Sequence, residues 1–381
     1  MRKGKYLTIT RLLMLLAIIL IIISSISNIV VAENTITSPK NVILLIGDGM
    51  GPNQVLMAHD IKGSNLYMED MPYKGMLSTV NAVGGVTDSA AAGTALATGA
   101  KTRNSYLGMN EDEVFVSNIR EFCVRHDKMT GIISTVKITD ATPAAFYAHN
   151  VVRTEEALIK KQLIESNIDV IIGPGAQNYS TPNNLVTGEM ESLEKATILA
   201  IEFLDKGENG FFLMVEGGKI DHAGHSNSIE QCNYEVLEFD KAVKAALEFA
   251  EKDGSTLVIV TADHETGGLQ KSNTSYKFTS PNHTGVDVPV FAFGVGASYF
   301  TGRICNTEIS LKIKRLILGD SLNLLPTKAV PVAAGIAPET VVPEAQESNN
   351  HALWIGSFSL LLLCAGGIGF YILRKKMEGK L

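Results

Sequence analysis

Apolar residues fall along this chain in short, bounded blocks separated by polar and periodic stretches. The blocks are Val42–Ile46 (VILLI), Gly131–Val136 (GIISTV), Asp169–Gly173 (DVIIG), Phe211–Glu216 (FFLMVE), Thr256–Thr261 (TLVIVT) and Val288–Gly294 (VPVFAFG). Rich in β-branched and aromatic residues, they predict buried strands. Ser228–Asp253 instead spaces Ile229, Cys232, Val236, Phe239, Val243 and Leu247 three and four apart and runs into Gly254. That periodicity predicts an amphipathic helix with a glycine C-cap. Strands alternating with helices predict an α/β three-layer sandwich with a largely parallel central sheet flanked by helices.

The two ends depart from this pattern. Arg2, Lys3, Lys5 and Arg11 precede the apolar run Leu12–Ile23, and Val30-Val31-Ala32 supplies small residues. This predicts a signal peptide over 1–32, with an uncleaved anchor as the alternative. Ala352–Leu373 is uncharged, and Arg374, Lys375 and Lys376 follow it. These features predict a single-pass transmembrane helix over 352–373 with a basic cytoplasmic tail, 374–381. Residues 326–350 carry four prolines and no periodicity, which suits an extended stalk. A domain over 33–325 is therefore expected in an extracytoplasmic space, tethered to the membrane.

The chain has 381 residues and a formal net charge of −7, enough length for a full core. Without an internal basic run it does not suit nucleic acid as a specific partner. Cys123, Cys232 and Cys305 precede the apolar C-terminal segment, which holds Cys364; no CxxC pair is present, and spacing assigns no disulfide.

Chemistry gathers where the predicted strands end, the edge at which open α/β sheets collect ligands. VILLI runs into Gly47-Asp48-Gly49-Met50-Gly51, which lacks the Lys-Ser/Thr ending of a P-loop. FFLMVE ends in Glu216, a carboxylate costly to bury without a cation or donor. Asp221 and His225 follow four apart, a workable ligand spacing on one helix face. TLVIVT runs into Asp263-His264, and His283 precedes the last apolar block. Singly, each residue has an ordinary structural role; jointly, oxygen and imidazole donors at four strand ends suit a mixed zinc and magnesium cluster. Thr87-Asp88-Ser89-AAAGTALATG places Ser89 at a predicted helix N-terminus, where an alkoxide or phosphate is favoured, with Asp88 as N-cap. Thr139-Asp140-Ala141-Thr142-Pro143 predicts another helix entry, with Arg153 expected on that helix as a planar donor fork for phosphate.

GDGMG, TDSAAAGTA, DATPAA with an arginine downstream, VEGGKIDHAGH, TADHETGG and HTG stand in this order. Over about Asn41–Gly294 the chain thereby resembles the alkaline phosphatase family. The resemblance implies two zinc ions and one magnesium. Asp221, His225 and His283 match the ligands of one zinc, and Asp48, Asp263 and His264 those of the second. Asp48, Thr142 and Glu216 match the magnesium ligands, with Asp140 acting there directly or through water. Ser89 matches the nucleophile that forms a phosphoserine, and Arg153 the clamp on the phosphate of a small phosphomonoester.

Two departures stand out. His222 is paired with Asp140, mixing animal-like and bacterial-like positions around the third metal. Only 18 residues separate His264 from His283, too few for the crown-like insertion of larger members, so a homodimer is possible but not assured. Ser89-Ala90-Ala91-Ala92-Gly93 lacks the Pro and Arg that a sulfatase needs. A phosphodiesterase or another phosphoryl hydrolase, and a non-enzymatic protein that binds metal or phosphate, are the alternative functions. Asn178 and Asn273 open glycosylation-type triplets.

Overall fold

The computed structural model describes residues 38–179, 184–273 and 275–319. The signal-like segment, the stalk and Ala352–Leu373 lie outside the described residues. In chain order the elements begin with β1 (Asn41–Ile46), α1 (Pro52–Lys62), β2 (Tyr73–Ser78), α2 (Ser89–Thr98), α3 (Ile119–Val124) and β3 (Met129–Ser134). They continue with α4 (Ala141–Ala144), α5 (Glu156–Glu165), β4 (Val170–Ile172), β5 (Leu185–Thr187), α6 (Leu193–Leu204) and β6 (Phe211–Glu216). After these come α7 (Lys219–His225), α8 (Ile229–Asp253), β7 (Thr256–Thr261), β8 (Glu265–Thr266), β9 (Gln270–Ser272) and β10 (Ser275–Lys277). The described fold closes with β11 (His283–Thr284), β12 (Val288–Gly294), β13 (Gly302–Cys305) and α9 (Thr307–Ile317).

Nine strands form one sheet in the order β13-β2-β12-β7-β1-β6-β3-β4-β5. The strands β7, β1, β6 and β3 run parallel, and β1, β6 and β7 are buried at every position. Burial on both faces explains why these segments read as continuous apolar runs rather than alternations. Only β12 is reversed, antiparallel to both β7 and β2. One helix layer packs α8 against α1, α6 and α7, and the other packs α2 against α3, α4 and α9.

Helix α8 buries Cys232, Val236, Phe239 and Val243. Ser228 caps it through a bond from the Gln231 N–H, and Gly254 ends it at φ 72°. Helix α2 is buried throughout, which its run of small residues permits. A Cβ on Gly93 would stand 3.1 Å from the Ala145 Cβ and 3.3 Å from the Thr142 Cα, so the glycine lets α4 approach α2.

The expected membrane-anchored, extracytoplasmic placement is corrected. Among the described residues no helix is long and apolar enough to cross a membrane. The longest, α8, carries acidic and basic residues along its whole length, and the anchor reading rested wholly on residues that are not described. Arg153 is also corrected: α4 ends at Ala144 and Arg153 lies in a turn before α5. The stretch between His264 and His283 is a small hairpin, β9 and β10. Cys123, Cys232 and Cys305 are free thiols, the first two buried and Cys305 half-buried.

Candidate active site

Strand register explains the convergence. Ile46 is level with Glu216 on one side and Thr261 on the other. Asp48 and Asp263, each two residues beyond those partners, therefore emerge beside one another, with Glu216 at the end of the adjacent strand. His264 follows Asp263, and its Nε2 lies 3.1 Å from Asp263 Oδ2 and 3.6 Å from Asp48 Oδ1. Ser89, the first residue of α2, brings its Oγ to 3.1 Å from the same His264 Nε2. Asp48 Oδ2 accepts from the Thr142 hydroxyl at 3.3 Å.

A second group stands at the rim. Asp221 and His225 share a face of α7, with His225 Nε2 3.2 Å from Asp221 Oδ2 and His283 Nε2 3.5 Å from Asp221 Oδ1. Both imidazoles use Nδ1 on a backbone carbonyl, His225 on Pro281 at 2.6 Å and His283 on Thr87 at 3.0 Å. A carbonyl only accepts, so each Nδ1 carries a proton and each Nε2 turns inward. The two Nε2 atoms face one another at 3.1 Å. One ligand atom from each of Asp221, His225 and His283 lies within 4.8 Å of the others, and the same holds for Asp48, Asp221 and His264. Asp221 thus stands between the two groups.

The buried carboxylates test whether cations fit here. Asp263 Oδ1 accepts from the Gly49 and His264 N–H groups at 3.1 and 2.9 Å, while its Oδ2 accepts no hydrogen bond. Glu216 Oε2 accepts from the Ser134 hydroxyl; its Oε1 has no partner, and neither does Asp48 Oδ1. Unpaired carboxylate oxygens in the interior are costly; those of Asp48 and Asp263 lie beside the His264 imidazole, and with the Glu216 carboxylate they suit divalent cations. Burial and the neighbouring carboxylates Asp263 and Asp221 raise Asp48 well above the carboxylate range. Burial alone is the main cause that lifts Glu216 to about 8 and Asp263 to about 6, and it lowers His264 to about 3. Asp221 is held low because bonds from His225 and His283 outweigh its burial. The Asp221 bond is the main cause that raises His225 to about 9. Burial thus opposes charge on Asp48, Glu216 and Asp263, the condition that a bound cation would relieve.

Arg153 faces this edge from the loop after α4. Its Nη1 donates to Asp88 Oδ2 and its Nη2 to Asp140 Oδ1, both at 3.2 Å. Asp88 also caps α2 through Oδ1, which accepts from the Ala91 N–H at 2.9 Å. The structure therefore brings Asp48, Ser89, Thr142, Glu216, Asp221, His225, Asp263, His264 and His283 to one sheet edge, with Asp140 and Arg153 beside it. His222 points outward from α7 and is exposed. Sequence reasoning gave Asp88 only a capping role, and it missed Ser134 on Glu216 and the Thr266 hydroxyl on Asp221. No local signal marks those two hydroxyls, since each finds its partner across the fold.

These features define an α/β fold whose sheet edge holds a candidate metal centre beside a helix-terminal hydroxyl. A family model described as alkaline phosphatase matches residues 39–191 and 181–281. Alkaline phosphatase 4 of Bacillus subtilis is 34% identical over 286 residues, 60% of this chain. The chain spans 62% of that relative's length. The alkaline phosphatase of Escherichia coli is 29% identical over 402 residues, covering 72% of this chain and 85% of the relative. The solved alkaline phosphatase of the Antarctic bacterium TAB5 superposes with a TM-score of 0.69 at 34% identity, covering 74% of this chain and all of that one. A mutant of the TAB5 protein was solved with Mg bound in the M3 site. This chain belongs to the alkaline phosphatase family of phosphoryl hydrolases.

Proposed function

We propose that the protein hydrolyses phosphomonoesters to an alcohol and inorganic phosphate, with Ser89 as nucleophile. The observation that carries this reading is that Ser89 Oγ shares the His264 Nε2 with carboxylate oxygens of Asp48 and Asp263 that accept no hydrogen bond. A hydroxyl at that place, on the N-terminus of a helix of ten residues, meets both the helix dipole and the cation-seeking cluster.

In this reading Asp221, His225 and His283 would hold one zinc, and Asp48, Asp263 and His264 a second. Asp48, Thr142 and Glu216, with Asp140, would hold magnesium. Bound there, such cations would lower the pKa of a nearby hydroxyl and offset charge on the phosphate oxygens. Ser89 gives up its Oγ proton to solvent and the alkoxide attacks phosphorus; the Oγ–P bond forms, the bond to the alcohol oxygen breaks, and the alcohol takes up a proton from solvent. Water then attacks phosphorus, the Oγ–P bond breaks, a proton from the water passes by way of solvent to Oγ, and phosphate leaves with Ser89 restored. Arg153 offers its planar fork to two phosphate oxygens, and Asp88 and Asp140 keep the fork in one orientation. Two free phosphate oxygens facing an arginine suit a monoester better than a diester, whose second ester group fills one of those positions.

Hydrolysis of a phosphomonoester, a phosphodiester and a sulfate ester, each with and without a chelator, tests the reading. Chelator-sensitive turnover of the monoester above the other two is expected. Faster turnover of the diester or the sulfate, or monoester turnover that survives thorough chelation, would refute it.

A further inference from the structure

Glu265 is a carboxylate of β8 that is only 3% exposed, and it has no part in the chemistry described above. Four neutral donors surround it. Gln54 Nε2 and the Leu269 N–H donate to Oε1 at 2.7 and 3.1 Å. The Gly268 N–H donates to Oε2 at 3.2 Å, and the Thr284 hydroxyl donates to the same oxygen.

These contacts join three segments that carry proposed ligands. Gln54 lies in the first turn of α1, which begins four residues after Asp48. Glu265 follows His264 directly, and Thr284 follows His283 directly. The loop bearing Asp48 comes so close that a Cβ on Gly51 would lie 2.2 Å from the Glu265 Cγ. Strands β8 and β11 pair only His283 with Thr266 and Thr284 with Glu265, and a ladder that short does not hold itself together. Yet the His264 and His283 rings stack at 3.6 Å between centroids. The Thr87 carbonyl ties the His283 ring at Nδ1, but that bond does not reach the His264 and Asp48 segments.

We infer that Glu265 is a positioning residue for the metal centre: its carboxylate, through Thr284, Gln54 and the turn amides, fixes the His283, Asp48 and His264 segments relative to one another. This rests on the metal-centre reading above. Loss of a group that orients a ligand from behind typically costs about 10- to 100-fold in metal affinity.

The Thr284 arm can be cut separately. Thr284→Val removes the hydroxyl at nearly constant shape, Thr284→Ser keeps it, and Glu265→Gln replaces an acceptor oxygen by a donor. Zinc affinity of the full chain, measured by competition with a chromophoric chelator, and the visible absorption of the Co2+-substituted protein are the readouts. Thr284→Val should weaken one zinc site by about 10- to 100-fold, leave the other near wild type and alter the Co2+ bands. Thr284→Ser should restore both readouts, and Glu265→Gln should weaken the two sites together. If Glu265→Gln does not fold, Thr284→Val decides alone. Wild-type zinc affinity and Co2+ bands in Thr284→Val would overturn the inference. Equal weakening of every site without rescue by Thr284→Ser would also overturn it, leaving Glu265 a structural role only. A wild-type chain that takes up no zinc would sink the metal-centre reading, and this inference with it.

Discussion

Replacing Gly51 by alanine separates space from backbone conformation at the edge of the site. Gly51 adopts φ −79° and ψ 179°, which alanine accepts. On conformational grounds alone, losing a glycine there stabilises by about 0.4–1 kcal/mol through the unfolded chain. The space forbids it: the new Cβ would lie 2.2 Å from the Glu265 Cγ and 2.8 Å from its Cβ. Glu265 would have to move, and its donors would lose their acceptor in a buried place. Overpacking costs about 1–3 kcal/mol, and an orphaned buried donor about 1–3 kcal/mol each. A net loss of about 3 kcal/mol or more follows, which lowers the melting temperature by roughly 6 °C or more at about 2–4 °C per kcal/mol for a domain of this class. Gly285→Ala is the control, since its Cβ would meet only the Val86 Cγ2 at 3.9 Å. Thermal unfolding followed by circular dichroism compares the two. A Gly51→Ala protein that melts with Gly285→Ala and wild type would refute the packing argument.

Two other predictions test different parts of the molecule. Arg153→Ala removes the fork held by Asp88 and Asp140; a lost charge-assisted bond is worth about 1.5–3 kcal/mol, so kcat/KM for a phosphomonoester should fall at least about tenfold, and steady-state kinetics would show it. Lys314 donates to the Thr98 and Ser117 carbonyls at 2.9 and 3.2 Å, and burial lowers its pKa to about 8. A lowered pKa means the unfolded chain binds the extra proton between about pH 8 and 10.5, so this group's contribution is present above that window and lost as pH falls through it. Relative to Lys314→Met, wild type should gain about 3 kcal/mol of stability from pH 8 to 10.5; urea titrations at both pH values check it, and a constant difference would refute it.

The six apolar runs all became strands because each is buried in the sheet interior. Strands β2, β5 and β13 gave no such signal: β2 opens with exposed Tyr73 and Lys74, and β5 and β13 are short edge strands. The reversal of β12 was also unreadable, since an apolar run carries no direction. Asp48, Glu216, Asp263 and His264 come together because they sit at or just beyond the ends of strands aligned in register, whereas Ser89, Thr142, Asp221 and His225 reach the same edge from short or N-terminal helical turns. What stayed hidden depends on contacts between distant segments: Asp88 reaches Arg153 across 65 positions and Thr266 reaches Asp221 across 45. Arg153 was placed on the wrong element because proline marks where a helix begins and says nothing of its length; α4 has four residues. The membrane anchor was inferred from an apolar run and the cations that follow it, all outside the described residues, and no described helix is long and apolar enough to cross a membrane.

The central claim is that Ser89 carries the phosphoryl group. Brief reaction with a labelled phosphomonoester, acid quenching and peptide mass analysis would locate any trapped phosphate, with zinc content measured alongside. The wild type should yield phosphate on Ser89, whereas Ser89→Ala should yield none, lose turnover and keep its zinc, since none of the proposed metal ligands is altered. Full turnover by Ser89→Ala, or label trapped on another residue, would contradict the account.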